Sequence, residues 1–248
     1  MTDSGSEPGE SDGDDPSVEA ALRAGAALFN EGYWLAAHEP WEAAWLPLDR
    51  DADGAEAADE RLLHGLIQVA AATHHARAGN GSGAVGCAEG AVSYLDGLGD
   101  RHRSLELEPL RRWCRRIADA STPDEAGTHA SEAGTHTSEA AASVGRPAPF
   151  EPPAFRIDGT AVRFADLEFE ATLAAAPALA EAIDVVDPEV VAMAVELARE
   201  ERGTGRTRFA ELLIGFLREP DTRRQVAVRL GDHVERAARK RRDVDDLF

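Results

Sequence analysis

Apolar residues recur every three or four positions along most of this chain, and this periodicity constrains the fold more than any other feature. Val18, Leu22, Ala26 and Phe29 show it first, and Ser17 just before them is a suitable helix cap. The same spacing returns at intervals as far as about residue 242. It is typical of amphipathic helices, and we therefore predict a mainly all-α fold.

Glycine, asparagine and proline divide this pattern into separate helices. Residues 17–120 are predicted to form a compact bundle of about five helices, of which the second carries Trp34 and Trp45 and the third spans 55–78. Residues 154–248 are predicted to form a second, mainly helical domain with helices near 167–179, 188–201, 208–218 and 221–242. This second domain opens with a short β-hairpin, because Asp158-Gly159 lies between two short alternating runs.

Two segments lack the helical pattern and are predicted to be flexible. Residues 1–16 are acidic and rich in Gly, Ser and Pro, and are predicted to be disordered. Residues 121–153 contain a seven-residue unit written twice, EAGTHAS followed by EAGTHTS, which starts at Glu125 and at Glu132. The repeat has no apolar seam and carries a glycine in every copy, so we interpret it as a linker and not as a coiled coil.

Charge restricts the possible partners and the environment. The 46 acidic and 26 basic residues give a net charge of −20, and Lys240 is the only lysine. We interpret this balance as an acidic, halophilic surface of haloarchaeal type, which stays hydrated in concentrated salt. Broad nucleic-acid binding needs a basic face, so nucleic acid is not expected as a partner.

Neither a membrane-spanning segment nor a secretory signal peptide is expected. No apolar run approaches the roughly 20 residues of a membrane span, and the amino terminus is acidic where a signal peptide is basic. Cys87 and Cys114, without CxxC spacing, favour a reducing cytoplasm. We predict a cytoplasmic protein.

Two motifs and the small residues after them carry a family resemblance. The first is FNEGYWLAAHEPWEAAW at residues 29–45; the second is GLIQVAAATHHARAGN at residues 65–80, followed by Gly83-Ala84. In these motifs the chain resembles the domain of unknown function 309 family, with a carboxyl-terminal extension. The resemblance implies a compact all-α domain and no established activity. It departs from the family pattern at Pro40, which kinks a helix unless it lies in the first turn.

The turns of this segment suggest a finer architecture. Gly32 and Ala37 are spaced like the turn of a tetratricopeptide hairpin, and Gly79 and Ala84 repeat that spacing. Tetratricopeptide-like helical hairpins are therefore one form that the bundle could take.

Polar residues on the two motifs form the candidate site. His38 and Glu42 share one helix face, and Gln68 and His75 share another, while Glu39 points elsewhere on a regular helix. Our leading interpretation is a buried polar cluster that holds the helices of a structural or protein-interaction module. The alternative is a metal-dependent, hydrolase-like enzyme in which His38, Glu42 and His75 bind a divalent metal and Gln68 assists.

An aromatic stripe and a basic cluster complete the candidates. Trp34, Trp41 and Trp45 lie at helical spacing, which favours packing in the core over a ligand groove. The basic run at residues 235–242 is interpreted as a solvated helix end. A protein partner or a homo-oligomer fits this chain better than a nucleic acid.

Overall fold

The computed structural model describes residues 17–49, 53–120 and 151–245. The predicted disordered segment 1–16 and almost all of the predicted linker lie outside these ranges. The described residues contain nine α-helices and four two-residue strands, so the predicted mainly all-α fold is confirmed. In chain order the elements are α1 Val18–Asn30, α2 His38–Trp45, α3 Ala55–Arg77, α4 Gly81–Leu95, β1 Arg101–His102, β2 Leu105–Glu106, α5 Glu108–Ala120, β3 Arg156–Ile157, β4 Thr160–Ala161, α6 Phe169–Ala182, α7 Pro188–Glu201, α8 Arg208–Arg218 and α9 Arg223–Asp245.

Side-chain caps fix several of the helix starts. The Ser17 hydroxyl accepts a hydrogen bond from the backbone N–H of Ala20 at 3.2 Å, as the sequence predicts for α1. Asn80 caps α4 by accepting from the N–H of Gly83 at 3.1 Å, so α4 begins earlier than its apolar pattern indicates. Asp187 caps α7, in which Pro188 occupies the first turn.

The second helix begins later than predicted. Trp34 lies in a turn that precedes α2, and the helix starts at His38. Pro40 is the third residue of α2, within the first turn, where a helix does not use the backbone N–H that proline lacks. The helix therefore continues without a break, and His38 and Glu42 do share a face.

The four strands form one antiparallel sheet in the order β1-β2-β3-β4. The predicted hairpin is confirmed, since Asp158 and Gly159 both have positive φ between β3 and β4. The hairpin of β1 and β2 was not predicted, because its turn residues Arg103 and Ser104 adopt positive φ without the usual glycine or asparagine. Leu105 of β2 pairs with Ile157 of β3, so the sheet joins the two sides of the segment 121–150.

The buried apolar residues form one continuous cluster across both predicted domains. Helix α1 packs against α2 on one side and against α6 on the other, while α3 and α4 form the most extensive helix pair. The predicted domain boundaries stay a prediction, but the residues on either side of them share a core and a sheet. None of the described helices is both long and apolar enough to cross a membrane.

Trp41 is the largest fully buried side chain, and its position depends on a glycine. A Cβ atom added to Gly25 of α1 would lie 2.2 Å from Cε2 of Trp41 and 2.7 Å from the carbonyl oxygen of Ala37. The other side of the indole stacks on Phe155, with ring centroids 5.3 Å apart. Trp41 is thus held between α1 and the segment that leads into β3.

Replacement of Gly25 by alanine is expected to lower the free energy of unfolding by about 3 kcal/mol, because the methyl group overlaps a ring that has no room to move. Urea unfolding followed by tryptophan fluorescence measures the change. Gly86→Ala in α4 is the matched control, since a Cβ there meets nothing within 4 Å. It is expected to stabilise the chain by up to about 1 kcal/mol through helix propensity. Equal effects of the two substitutions would contradict the packing described here.

Candidate functional site

His38 and Glu42 interact with each other on the outer side of α2. Nε2 of His38 lies 3.7 Å from Oε2 of Glu42, and both side chains are partly exposed. Nδ1 of His38 is in hydrogen-bond contact with the carbonyl oxygen of Leu35. Because a carbonyl oxygen can only accept, Nδ1 carries the proton, and the imidazole closes the turn that precedes α2.

Glu39 contacts Glu181 of α6 and also interacts electrostatically with His38 and Glu42. Burial of the half-buried Glu39 carboxyl group raises its pKa, and the neighbouring Glu181 carboxylate raises it further. A hydrogen bond between the two carboxyl groups favours the protonated form of Glu39. Glu39 therefore takes part in the contact between α2 and α6 and does not orient His38.

Gln68 and His75 lie along the contact of α3 with α4. The Gln68 side chain lies against Gly90 of α4, where an added Cβ would be 3.4 Å from its Oε1 atom. Nδ1 of His75 is 3.3 Å from Nδ2 of Asn80, the residue that caps α4. His75 therefore supports the turn between the two helices.

The predicted buried polar cluster is wrong in two respects, because all five of its residues are at least partly exposed and only some of them meet. His38 and Glu42 pair within α2, whereas His75 bonds to the start of α4. Within the described ranges, no group of three or more His, Cys, Asp or Glu side chains is arranged so that it could hold a metal ion.

The tryptophans of the predicted stripe, Trp34, Trp41 and Trp45, occupy separate environments and do not line one groove. Trp41 is buried beside Phe155, whereas the half-buried Trp34 lies under the guanidinium of Arg77, 4.9 Å from the ring centroid. Trp45 donates a hydrogen bond from Nε1 to Oε1 of Glu60 at 2.9 Å.

His64 completes an aromatic cluster beside Trp45. Its ring stacks on Tyr94 with centroids 3.8 Å apart and lies 4.8 Å from the Trp45 ring. Nδ1 of His64 is also 3.6 Å from Oε1 of Glu60. This cluster joins α2, α3 and α4, and the His64 ring faces α4, as Gln68 and His75 do.

Asn30 has a role that the sequence analysis missed. Its side-chain amide donates to the carbonyl oxygens of Phe155 and Val162, both at 2.9 Å, and its Oδ1 accepts from the N–H of Phe155 at 2.8 Å. The sequence indicated only that Asn30 ends α1. The one available signal was its place at the start of the first motif.

An ion cluster around the buried Asp59 carboxylate, between α3 and the first hairpin, was also missed. The Asp59 carboxylate accepts from Nε and Nη2 of Arg103 at 2.6 and 2.5 Å, and Nε2 of His102 is 3.0 Å from its Oδ1. Burial alone would raise the pKa of Asp59, but the hydrogen bonds from Arg103 and His102 outweigh it and lower the pKa. The cluster holds Arg103 in its positive-φ conformation.

Comparison with known proteins agrees with the motifs. Residues 22–87 match the model of a family described as Domain of unknown function (DUF309). The resemblance deduced from the two motifs is thereby confirmed for this segment. No curated protein and no solved structure matches the chain significantly.

Asp59→Asn is expected to lower the free energy of unfolding at neutral pH by about 1 to 2 kcal/mol, because it leaves Arg103 without its anionic partner at a site where Asp59 is buried but the Arg103 side chain is 40% exposed to screening water. The folded-state pKa of Asp59 is lowered, so its stabilisation is present above the unfolded pKa and is lost as the pH falls through the folded value. The difference between wild type and variant should therefore shrink in acid.

Denaturant unfolding across a series of pH values measures this difference. The exposed Asp100 near the same hairpin supplies the control, Asp100→Asn, for which no such pH-dependent loss is expected. A constant difference between Asp59→Asn and wild type at all pH values would show that the carboxylate charge is not what stabilises the hairpin.

Proposed function

We propose that the chain is a non-enzymatic interaction module, in which the polar residues of the two motifs maintain a helical scaffold. One observation carries this proposal: the polar contacts of His38 and His75 are made to a nearby turn, their own helix or the next helix start. Contacts of this kind stabilise helix ends and satisfy polar groups. They do not direct the histidines towards a common point.

The buried motif residues support the same proposal. Asn30 and Trp41 are used to attach the segment at Phe155, and Gly65 allows Leu95 to pack closely on α3, where an added Cβ would be 2.6 Å from its Cδ2 atom. These roles require the same residue types that the motifs contain. None of them requires a reaction.

The outer side of α2 supports the interaction part of the proposal. Leu35 and Leu46 are 48% and 62% exposed, and they lie in the turns directly before and after α2, which carries His38 and Glu42. Exposed leucines beside a polar pair are suited to contact with a protein partner. We also propose a reducing, cytoplasmic setting, which the free thiols of Cys87 and Cys114 support.

The scaffold role of His75 can be separated from metal binding by two measurements on the full chain. We expect His75→Ala to lower the free energy of unfolding by about 1 kcal/mol and Asn80→Ala to lower it by more, because Asn80 also caps α4. The double variant should lose less than the sum of the two, because both substitutions remove the contact between His75 and Asn80. We expect a chelator to leave the unfolding midpoint of the wild type unchanged. The exposed Glu89 of α4 provides the control variant, Glu89→Ala, which should combine additively with His75→Ala.

Elemental analysis of the purified protein distinguishes the proposed interaction module from the alternative, a metal-dependent enzyme. A stoichiometric divalent metal that is retained by the wild type and lost in both His38→Ala and His75→Ala would overturn the proposal in favour of the metal-dependent enzyme. Additive effects of His75→Ala and Asn80→Ala would contradict the scaffold role.

A further inference from the structure

A cleft between α7, α8 and α9 reverses the charge balance of the rest of the chain. The cleft has a volume of about 610 Å³, and five cationic side chains against two carboxylates line it. Its cations are Arg206, Arg208, Arg236, Lys240 and Arg241. In a chain with 46 acidic and 26 basic residues, this local excess of positive charge is not explained by composition.

The carboxylates of this cleft already have partners, whereas most of its cations do not. Glu200 pairs with Arg241, and Oε2 of Glu201 accepts a hydrogen bond from the backbone N–H of Phe209 at 3.1 Å. Within the described residues, the side chains of Arg206, Arg208 and Lys240 form no ion pair. Glu201 keeps its negative charge, but the cations without an ion pair outnumber it, so the cleft has a net positive charge that is available to a ligand.

The spacing of the cations on α9 directs them to one side of the helix. His233, Arg236 and Lys240 are three and four residues apart, so they lie on one face. Arg206 and Arg208 approach the same cleft from the loop after α7 and from the first residue of α8. Cations from two parts of the fold thus surround one space.

The pKa of His233 responds to the positive charges around this cleft. His233 is half-buried at the junction of the cleft with a second one of about 830 Å³, and its ring meets Phe209 edge-on at 6.3 Å. Burial lowers its pKa, and the positive charges of Arg236, Arg208 and Arg229 lower it further. An anion in the cleft would relieve this repulsion.

We propose that this cleft binds a small organic molecule that carries phosphate groups. Planar guanidinium groups, such as those of Arg206 and Arg208, match phosphate oxygens in pairs. Leu197, Phe209 and Ala237 provide an apolar wall for the rest of the ligand. The volume is within the usual range for small-molecule sites.

The net charge of the chain favours a small ligand over a polymeric one. At a net charge of −20, the protein as a whole repels a nucleic acid or a long acidic segment, and this repulsion grows with the charge of the partner. A ligand with one or two phosphate groups encounters mainly the local field of the cleft. This inference rests on the proposal that the chain functions by binding.

Titration of the full chain with inorganic phosphate and inorganic pyrophosphate tests the site, with calorimetry and the ring proton resonances of His233 as readouts. His233→Gln assigns those resonances. We expect saturable binding of one pyrophosphate, a stronger affinity for pyrophosphate than for phosphate, and a movement of the His233 resonances on binding. The double variant Arg206→Gln, Arg208→Gln should weaken pyrophosphate binding at least tenfold.

Arg156→Gln is the matched control, because Arg156 is an exposed arginine remote from this cleft in the sheet. It should bind pyrophosphate like the wild type, and circular dichroism should show that all variants keep their helices. The inference would be overturned by absent or non-saturable binding, by equal affinity in the double variant, or by tighter binding of a duplex oligonucleotide or a polyglutamate peptide. None of these results changes the metal and stability measurements on His38 and His75, so the two proposals fail separately.

Discussion

The side-chain amide of Asn30 holds the backbone of the segment that leads into β3, and the core around it depends on this attachment. The amide makes three hydrogen bonds to Phe155 and Val162, which are more than 120 residues away in the chain. They fix Phe155 where its ring contacts Phe29 at 4.5 Å and Trp41 at 5.3 Å. A loss of these bonds would leave buried backbone groups unpaired and the aromatic cluster of Phe29, Trp41 and Phe155 incomplete.

The same attachment explains why the two motifs contain so many residues that look functional. Asn30 fixes the strand, Trp41 fills the space that Gly25 leaves, and His38 closes the turn before α2. Polar and aromatic residues in a small helical bundle are candidates for chemistry when the sequence alone is considered. In the structure, these residues contact nearby turns and the core, and a cleft lined by five cationic side chains lies elsewhere, between α7, α8 and α9.

The sequence predicted most helices because their apolar spacing, caps and glycine ends are local signals. Helices α7 and α8 have the predicted bounds, and the turn at Asp158-Gly159 carries its own backbone preference. The hairpin of β1 and β2 escaped prediction because Arg103 and Ser104 have no such preference. Their conformation is stabilised by Asp59, which is more than forty residues away in the chain.

The candidate site was predicted less well, since it depends on how helices rotate against one another. Spacing indicated that His38 and Glu42 share a face, and the two side chains do lie next to each other. Spacing could not show that His75 would bond to Asn80, or that His64 would stack on Tyr94. Nor could it assemble cations from two separate segments into one cleft, because that requires the packing of α7, α8 and α9.

Hydrogen exchange of the full chain with Asn30→Ala tests most directly whether this attachment joins the two halves into one cooperative unit. In the wild type, the amide of Phe155 and the core amides of α1 and α3 should exchange with the same opening free energy. In the variant, the opening free energy of the Phe155 amide and that of the core amides of α1 and α3 should fall together by about 2 kcal/mol, because the lost bonds support the common core. Loss of protection confined to residues 151–245, or no loss at Phe155, would contradict this account.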